Sequence, residues 1–146
     1  MIQRKFYSGK HRAHVVKWEC AVQINTGRLC WFSDPFKGRR HDLTILRRSG
    51  ILDQLQAGEK ILGDKAYVGE ASLITPFKNK PEGLTQEEMN HNQAVNHERA
   101  IIERFFGRLK EFRCLKIDWR HSLEKLNWCF VVCLNITNMK LEENPL

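Results

Sequence analysis

The chain has 146 residues, 42% of them hydrophobic and 28% charged, with a formal net charge of +7. That is enough chain for one cored domain and too little for two. The longest apolar run, Cys129 to Leu134, falls far short of the ~18 residues a membrane span needs, and the basic "MIQRKFYSGKHR" start lacks a signal peptide's apolar core. These features predict an intracellular protein, nuclear or cytoplasmic, with no membrane partner.

Cys20, Cys30, Cys114, Cys129 and Cys133 are odd in number and form no Cys-x2-Cys pair. They read as reduced thiols, and their spacing speaks against zinc. Charge is uneven. The first fifty residues hold eleven Lys and Arg against three acids, while the other 96 hold thirteen against fourteen. A positive surplus confined to one third of the chain favours a polyanion partner, nucleic acid first.

"HVVKWECAVQI" alternates, with Val16, Trp18, Cys20, Val22 and Ile24 on one face and Lys17, Glu19, Ala21 and Gln23 on the other. The period predicts a single strand with one buried face. "NTG" marks a turn and "RLCWFS" a hairpin partner, followed by the loop "DPFKGRR". "HDLTILRRSGILDQL" has helical spacing through Leu43, Leu46 and Ile51, interrupted near Gly50. "EKILGDKAY" predicts a strand ending at Gly63-Asp64, and "SLITPF" a strand closed by Pro76. Residues 78–90 are polar with Pro81 and Gly83 and predict a loop. A helix is predicted from about Thr85 to Cys114, and a second, apolar over much of its circumference and therefore largely buried, from Ser122 to Leu141. Asn135-Ile136-Thr137 fits a glycosylation sequon that carries little weight without a secretory signal. The order is that of an α/β protein with a mixed sheet.

Asp64 stands at a predicted strand end, the edge where open α/β sheets bind ligands, although a lone acid there is more often a turn or cap residue. Gly63 is expected to let the backbone turn and to leave room beside it. Asp42 opens a helix, where an N-cap role is strong. Lys65, Tyr67, His11 and His14 taken singly read as surface or packing residues. The first long helix carries Asn96, Arg99, Glu103 and Lys110 at offsets 0, 3, 7 and 14. With Arg99 at zero, Glu103 lies at about 40°, Lys110 at about 20° and Asn96 at about 60°. Ile101, Ile102, Phe105, Phe106, Leu109 and Phe112 occupy the neighbouring arc, so the polar stripe borders the core. An Arg99–Glu103 pair at i,i+4 would account for a few tenths of a kcal/mol and no function; the position at the core's edge favours a site.

"YSGKHRAH", "GRRHDLTIL", "ILGDKAY", "TPFK" and "NHERAIIERFFGRLKEFRCL", in that order from about Tyr7 to Leu141, resemble the nuclease core of DDE transposases of the insertion-sequence and PIF/Harbinger kind. Asn96-x2-Arg99-x3-Glu103-x6-Lys110 is similar to the signature helix of that superfamily, with Asn where some members have Tyr. The resemblance implies an RNase H-like fold and a single, partial catalytic domain over residues 1–146 without the family's helix-turn-helix region. It implies that Asp64 and Glu103, 39 residues apart, are catalytic, and that with Asp42 they hold divalent cations, two Mg²⁺ or Mn²⁺ in a complete site. Arg99, Lys110, Lys65, Asn96, Arg39 and Arg40 are then the expected contacts to DNA phosphates, and transposon-end DNA the partner.

One feature of the family has no counterpart. The resemblance implies a first catalytic Asp on a central strand upstream of "YSGK", and the first acid in this chain is Glu19. The expectation is a chain beginning inside the catalytic domain, short of its central strand, weak in metal binding and impaired in cleavage. Unpaired strand edges then favour self-association into a homo-oligomer. The alternative function is a noncatalytic DNA-binding or assembly protein derived from a transposable element.

Overall fold

In the computed structural model, residues 6–9 and 12–146 are described. The "HDLTIL" helix, the "NTG" turn and the long polar helix appear as expected, as parts of a mixed α/β chain with eight short strands and three α-helices among the described residues. The chain divides into two compact units, Met1–Glu19 with Pro35–Arg99, and Cys20–Asp34 with Ala100–Leu146.

In the first unit, β1 (Tyr7–Ser8) pairs antiparallel with β2 (Ala13–His14), and β3 (Val16–Lys17) with β6 (Phe36–Lys37). The segment predicted as a loop, "DPFKGRR", thus contributes a strand. α1 (Asp42–Ser49) carries Asp42 in its first turn and Arg47 and Arg48 in its last, each sign at the helix end whose dipole it complements. Ile45 and Leu46 are its buried face, and Gly50, with φ 84°, supplies the left-handed cap that ends it. The cap is followed by a 3₁₀ turn, Leu52–Gln54. β7 (Ile61–Leu62) pairs in parallel with β8 (Leu73–Ile74) across a connection holding the 3₁₀ turn Lys65–Tyr67.

α2 (Gln86–Leu109) starts on a reciprocal capping box. Thr85 Oγ1 accepts from Glu88 N at 3.2 Å, and Glu88 Oε2 accepts from Thr85 N at 2.9 Å. The Lys80 ammonium 2.5 Å from Glu88 holds that carboxyl below its ordinary range. One turn on, Asn92 clamps Phe77, accepting from its N–H at 2.7 Å and donating to its carbonyl at 3.2 Å. These contacts fix the start of α2 against the segment after β8.

In the second unit, β4 (Cys20–Val22) and β5 (Leu29–Phe32) form the hairpin that "NTG" announces. The alternating segment His14–Ile24 is not one strand: its pairing stops at Trp18–Glu19, and β3 and β4 take different partners on either side. α2 also ends earlier than its periodicity suggests. Phe112 adopts an extended backbone with ψ 112°, under Lys140 Nζ at 5.4 Å, and Cys114 falls in a separate 3₁₀ turn, Arg113–Leu115. α3 (Leu123–Glu143) is capped by Ser122, whose hydroxyl accepts from Lys125 N at 3.3 Å.

Phe105, Leu109, Phe130, Cys133, Leu134, Thr137 and Leu141 are the buried side chains of this unit's helices. The expectation that α3 is largely buried fails on its other side, where Trp128 and Met139 are each 65% exposed and Val132 54%. Asn135, of the sequon, is exposed on the helix and donates to Val131 O at 3.0 Å. Arg108 donates to the carbonyls of Asn144 and Pro145.

One contact that joins hairpin to helix is the Asn138 amide. Its Oδ1 accepts from Leu29 N at 2.8 Å and its Nδ2 donates to Leu29 O at 3.0 Å, spanning 109 residues. Truncation would leave both Leu29 groups unpaired in a half-buried position. Asn138→Ala should therefore cost about 1–3 kcal/mol in urea unfolding, against almost nothing for the exposed Asn135→Ala.

Candidate active site

Parallel pairing carries the chain to the buried Gly63, whose N–H donates to Ile74 O at 2.9 Å. Gly63 is not needed here for a turn. A Cβ at this position would lie 2.7 Å from Leu73 Cδ2 and 3.2 Å from Tyr67 Cδ2, so glycine leaves the space into which Tyr67 folds back. Asp64 follows and caps the 3₁₀ turn, its Oδ1 accepting from Ala66 N at 2.7 Å. The cap role is thus present, and it fixes the Asp64 carboxylate at the strand end.

The 3₁₀ turn puts the Tyr67 hydroxyl 2.5 Å from Glu19 Oε1, to which it donates. Sequence reading placed Tyr67 among surface or packing residues and Glu19 on the strand face opposite the core. The structure instead brings Glu19 inward where β3 ends. Burial raises the Glu19 carboxyl above its ordinary value; the Tyr67 hydrogen bond opposes this, and the negative charges of Asp42 and Asp64 reinforce it. Tyr67 is pushed upward as well, first by burial and then by Glu19, with Asp42 and Asp64 adding to the effect. Glu19, Asp42 and Asp64 therefore share one electrostatic neighbourhood within the first unit. A sequence signal for Glu19 existed, an acid embedded in an apolar strand, but strand alternation assigned it to the wrong side.

Asp42 is the first residue of α1; the N-cap is His41, without a side-chain cap bond. The Asp42 carboxylate is spent elsewhere, on Lys17 Nζ at 2.8 Å, and the same ammonium donates to Arg40 O at 3.1 Å. Lys17 thus ties β3 to the start of α1 and partly neutralises the cluster. Arg40 is half-buried with its guanidinium 5.8 Å over the Phe36 ring, while Arg39 and Lys65 are exposed. His14 stacks edge-on against Tyr7 at 5.7 Å; His11 lies outside the described residues.

The helix stripe is partly kept. Asn96 is exposed and Arg99 half-buried in the first unit's part of α2. Glu103 is exposed in the second unit's part, on the stretch of α2 that also carries buried Phe105 and Leu109. Lys110 falls just past the last residue of α2, where its N–H still makes the helical bond to Phe106 O at 2.9 Å.

The Glu19 shift has a sign that can be checked. Between its ordinary value of 4.5 and its raised folded value, the folded chain holds more protons than the unfolded one. Stability contributed by the protonated form is present at low pH and lost as pH rises through the folded value. Glu19→Gln, which keeps an acceptor for Tyr67, should raise Tm at about pH 8 and lose its advantage below the ordinary carboxyl range. A pH-independent difference between the two melting curves would contradict the assignment.

The family described as DDE superfamily endonuclease matches residues 1–138. The probable transposase for insertion sequence element IS702 of Microchaete diplosiphon is 31% identical over 125 residues, 82% of this chain and 44% of that protein. The chain therefore spans less than half the length of this curated relative. No solved structure matches. With the acids of "GRRHDL" and "GDKAY" gathered in one neighbourhood and the match running over nearly its whole length, the chain belongs to the DDE superfamily of endonucleases.

Proposed function

We propose that these residues are part of the catalytic domain of a DDE transposase, with an RNase H-like core whose central strand is not among them. The reaction of that domain is divalent-metal-dependent hydrolysis and strand transfer at DNA phosphodiesters. The observation that carries this reading is the convergence of Asp42 and Asp64, two of the expected ligands, on one neighbourhood in which negative charge is in excess.

The donor set suits a hard cation. Glu19, Asp42 and Asp64 offer carboxylate oxygens against one close ammonium, Lys17, and Mg²⁺ and Mn²⁺ prefer such oxygens. Among the described residues no three carboxylates bring ligand oxygens within 4.8 Å of one another, so binding would have to draw them closer. In this reading Asp64 and Glu103 are the catalytic carboxylates and, with Asp42, the metal ligands. A bound cation would polarise the scissile phosphate and lower the pKa of an attacking hydroxyl. Asp64 is already oriented by its cap bond, and Tyr67 keeps Glu19 in place beside it.

Arg39, Arg40, Lys65, Asn96, Arg99 and Lys110 are proposed contacts to DNA. The basic first third of the chain supports this through charge alone. No aspartate here matches the family's first catalytic position, so we propose that the 146 residues cleave slowly or not at all. A homo-oligomer joined through strand edges belongs to the same proposal. A noncatalytic DNA-binding or assembly role is the second reading, favoured by the Lys17–Asp42 ion pair, which commits one expected ligand to structure.

Duplex DNA should bind with an affinity that falls steeply with salt, and Arg39→Ala with Arg40→Ala should flatten that slope by about one to two counterions. Mn²⁺ should raise Tm, and Asp64→Asn should remove that shift while leaving DNA affinity in place. A chain extended through the strand bearing the family's first Asp should nick DNA with Mg²⁺ or Mn²⁺, and Glu103→Gln should abolish the nicking. If the extended chain stays inert while still binding DNA, the enzyme reading fails and the assembly reading stands.

A further inference from the structure

The second unit holds a group the reaction does not use. α3 places Cys129 and Cys133 one turn apart on the same face, and the 3₁₀ turn Arg113–Leu115 delivers Cys114 to them. The three Sγ atoms all lie within 4.8 Å of one another, with Cys114 and Cys133 at 3.6 Å. Cys133 is buried and the other two half-buried. The spacing, Cys114-x14-Cys129-x3-Cys133, has no paired-cysteine signature, and only the break after α2 brings its first member into place.

We propose that Cys114, Cys129 and Cys133 form a site for a thiophilic d10 cation, Zn²⁺, with the fourth coordination position left to water. Three thiolates around zinc at ~2.3 Å in tetrahedral geometry have sulfurs about 3.8 Å apart. One edge of the cluster already has this length, and the others need to close by about 1 Å or less. Disulfide chemistry fits less well. Residues at i,i+4 on a helix hold their Cβ atoms about 5–6 Å apart, beyond the 3.5–4.5 Å of a disulfide, so Cys129 and Cys133 cannot join without unwinding α3. A bridge from Cys114 to either leaves the remaining thiol unused.

Burial and the neighbouring sulfurs push the Cys133 thiol up to about 12, and burial with Cys114 pushes Cys129 upward against the opposing Cys133 hydrogen bond. Without a cation Cys129 and Cys133 therefore stay protonated, as weak donors. A cation supplies the charge that stabilises the thiolates, and the thiol protons pass to solvent as it binds. Cys20 and Cys30 are not part of the group.

Co²⁺ titrated into the reduced, metal-free full chain should give the near-ultraviolet thiolate-to-cobalt charge-transfer band and the visible bands of a tetrahedral site. Added Zn²⁺ should bleach both. Cys114→Ser and Cys129→Ser should each lose the charge-transfer intensity, and Cys20→Ser and Cys30→Ser should keep it. On the unmutated chain, Zn²⁺ should slow alkylation of Cys114, Cys129 and Cys133 at least tenfold and leave Cys20 and Cys30 reacting as before, which tests the site without relying on a variant that folds. No charge-transfer band, bands unchanged in both cluster variants, or equal alkylation with and without Zn²⁺ would overturn the proposal. So would a Cys114 disulfide forming at the same rate whether Zn²⁺ is present or not.

Discussion

A half-buried carboxylate beside two others must be compensated or protonated, and the first unit meets that constraint at Glu19. Desolvation disfavours its charge, and the fields of Asp42 and Asp64 add to the penalty. Two groups relieve it. Tyr67 donates a short hydrogen bond to Glu19, and Lys17 pairs with Asp42 while holding the carbonyl that precedes α1. Gly63 suits the same arrangement, because a Cβ there would press on Tyr67 Cδ2 at 3.2 Å as well as on Leu73 Cδ2 at 2.7 Å. Local choices from Lys17 to Tyr67 thus serve one electrostatic arrangement.

The same arrangement explains why the acids of this family member are not interchangeable. Asp64 is oriented by its own turn through the Ala66 N–H, Asp42 by a lysine from a neighbouring strand, and Glu19 by a phenol. Each partner sets a different cost for drawing the carboxylate toward a cation. Asp64 keeps its geometry at no expense to other contacts, whereas Asp42 must release an ammonium to become a ligand.

Signals carried within a few residues were legible in the sequence. Gly50 ends α1, "NTG" turns the hairpin, Thr85 and Glu88 start α2, and "ILGD" ends a parallel strand at an acid. What was not legible depends on distant partners. The strand period continues through Trp18 and Glu19, but β3 and β4 pair with different segments, and the break turns Glu19 inward. Helical spacing continues through Lys110 to Cys114, but α2 ends at Leu109 and Phe112 is extended beneath Lys140. The Asn138–Leu29 clamp joins residues 109 apart and left no trace in either local pattern. Hydrophobicity alone also overstated the burial of α3, since an apolar circumference says how much a helix can bury and not what is present to cover it.

The two units offer cations two kinds of donor. Carboxylate oxygens with a phenol nearby favour Mg²⁺ or Mn²⁺, and a triad of sulfurs favours Zn²⁺. Affinity order alone would let zinc take either site, because N, O and S ligands all bind it more strongly than they bind manganese. The sulfur triad shifts that competition. Thiolates outbid carboxylates for a borderline-soft ion, so on the two proposals above zinc at sub-stoichiometric levels would partition to Cys114, Cys129 and Cys133 and leave the oxygen donors to the harder ions. On those proposals donor chemistry, set by which residues each unit gathers, would sort the cations without any difference in how tightly each site is enclosed.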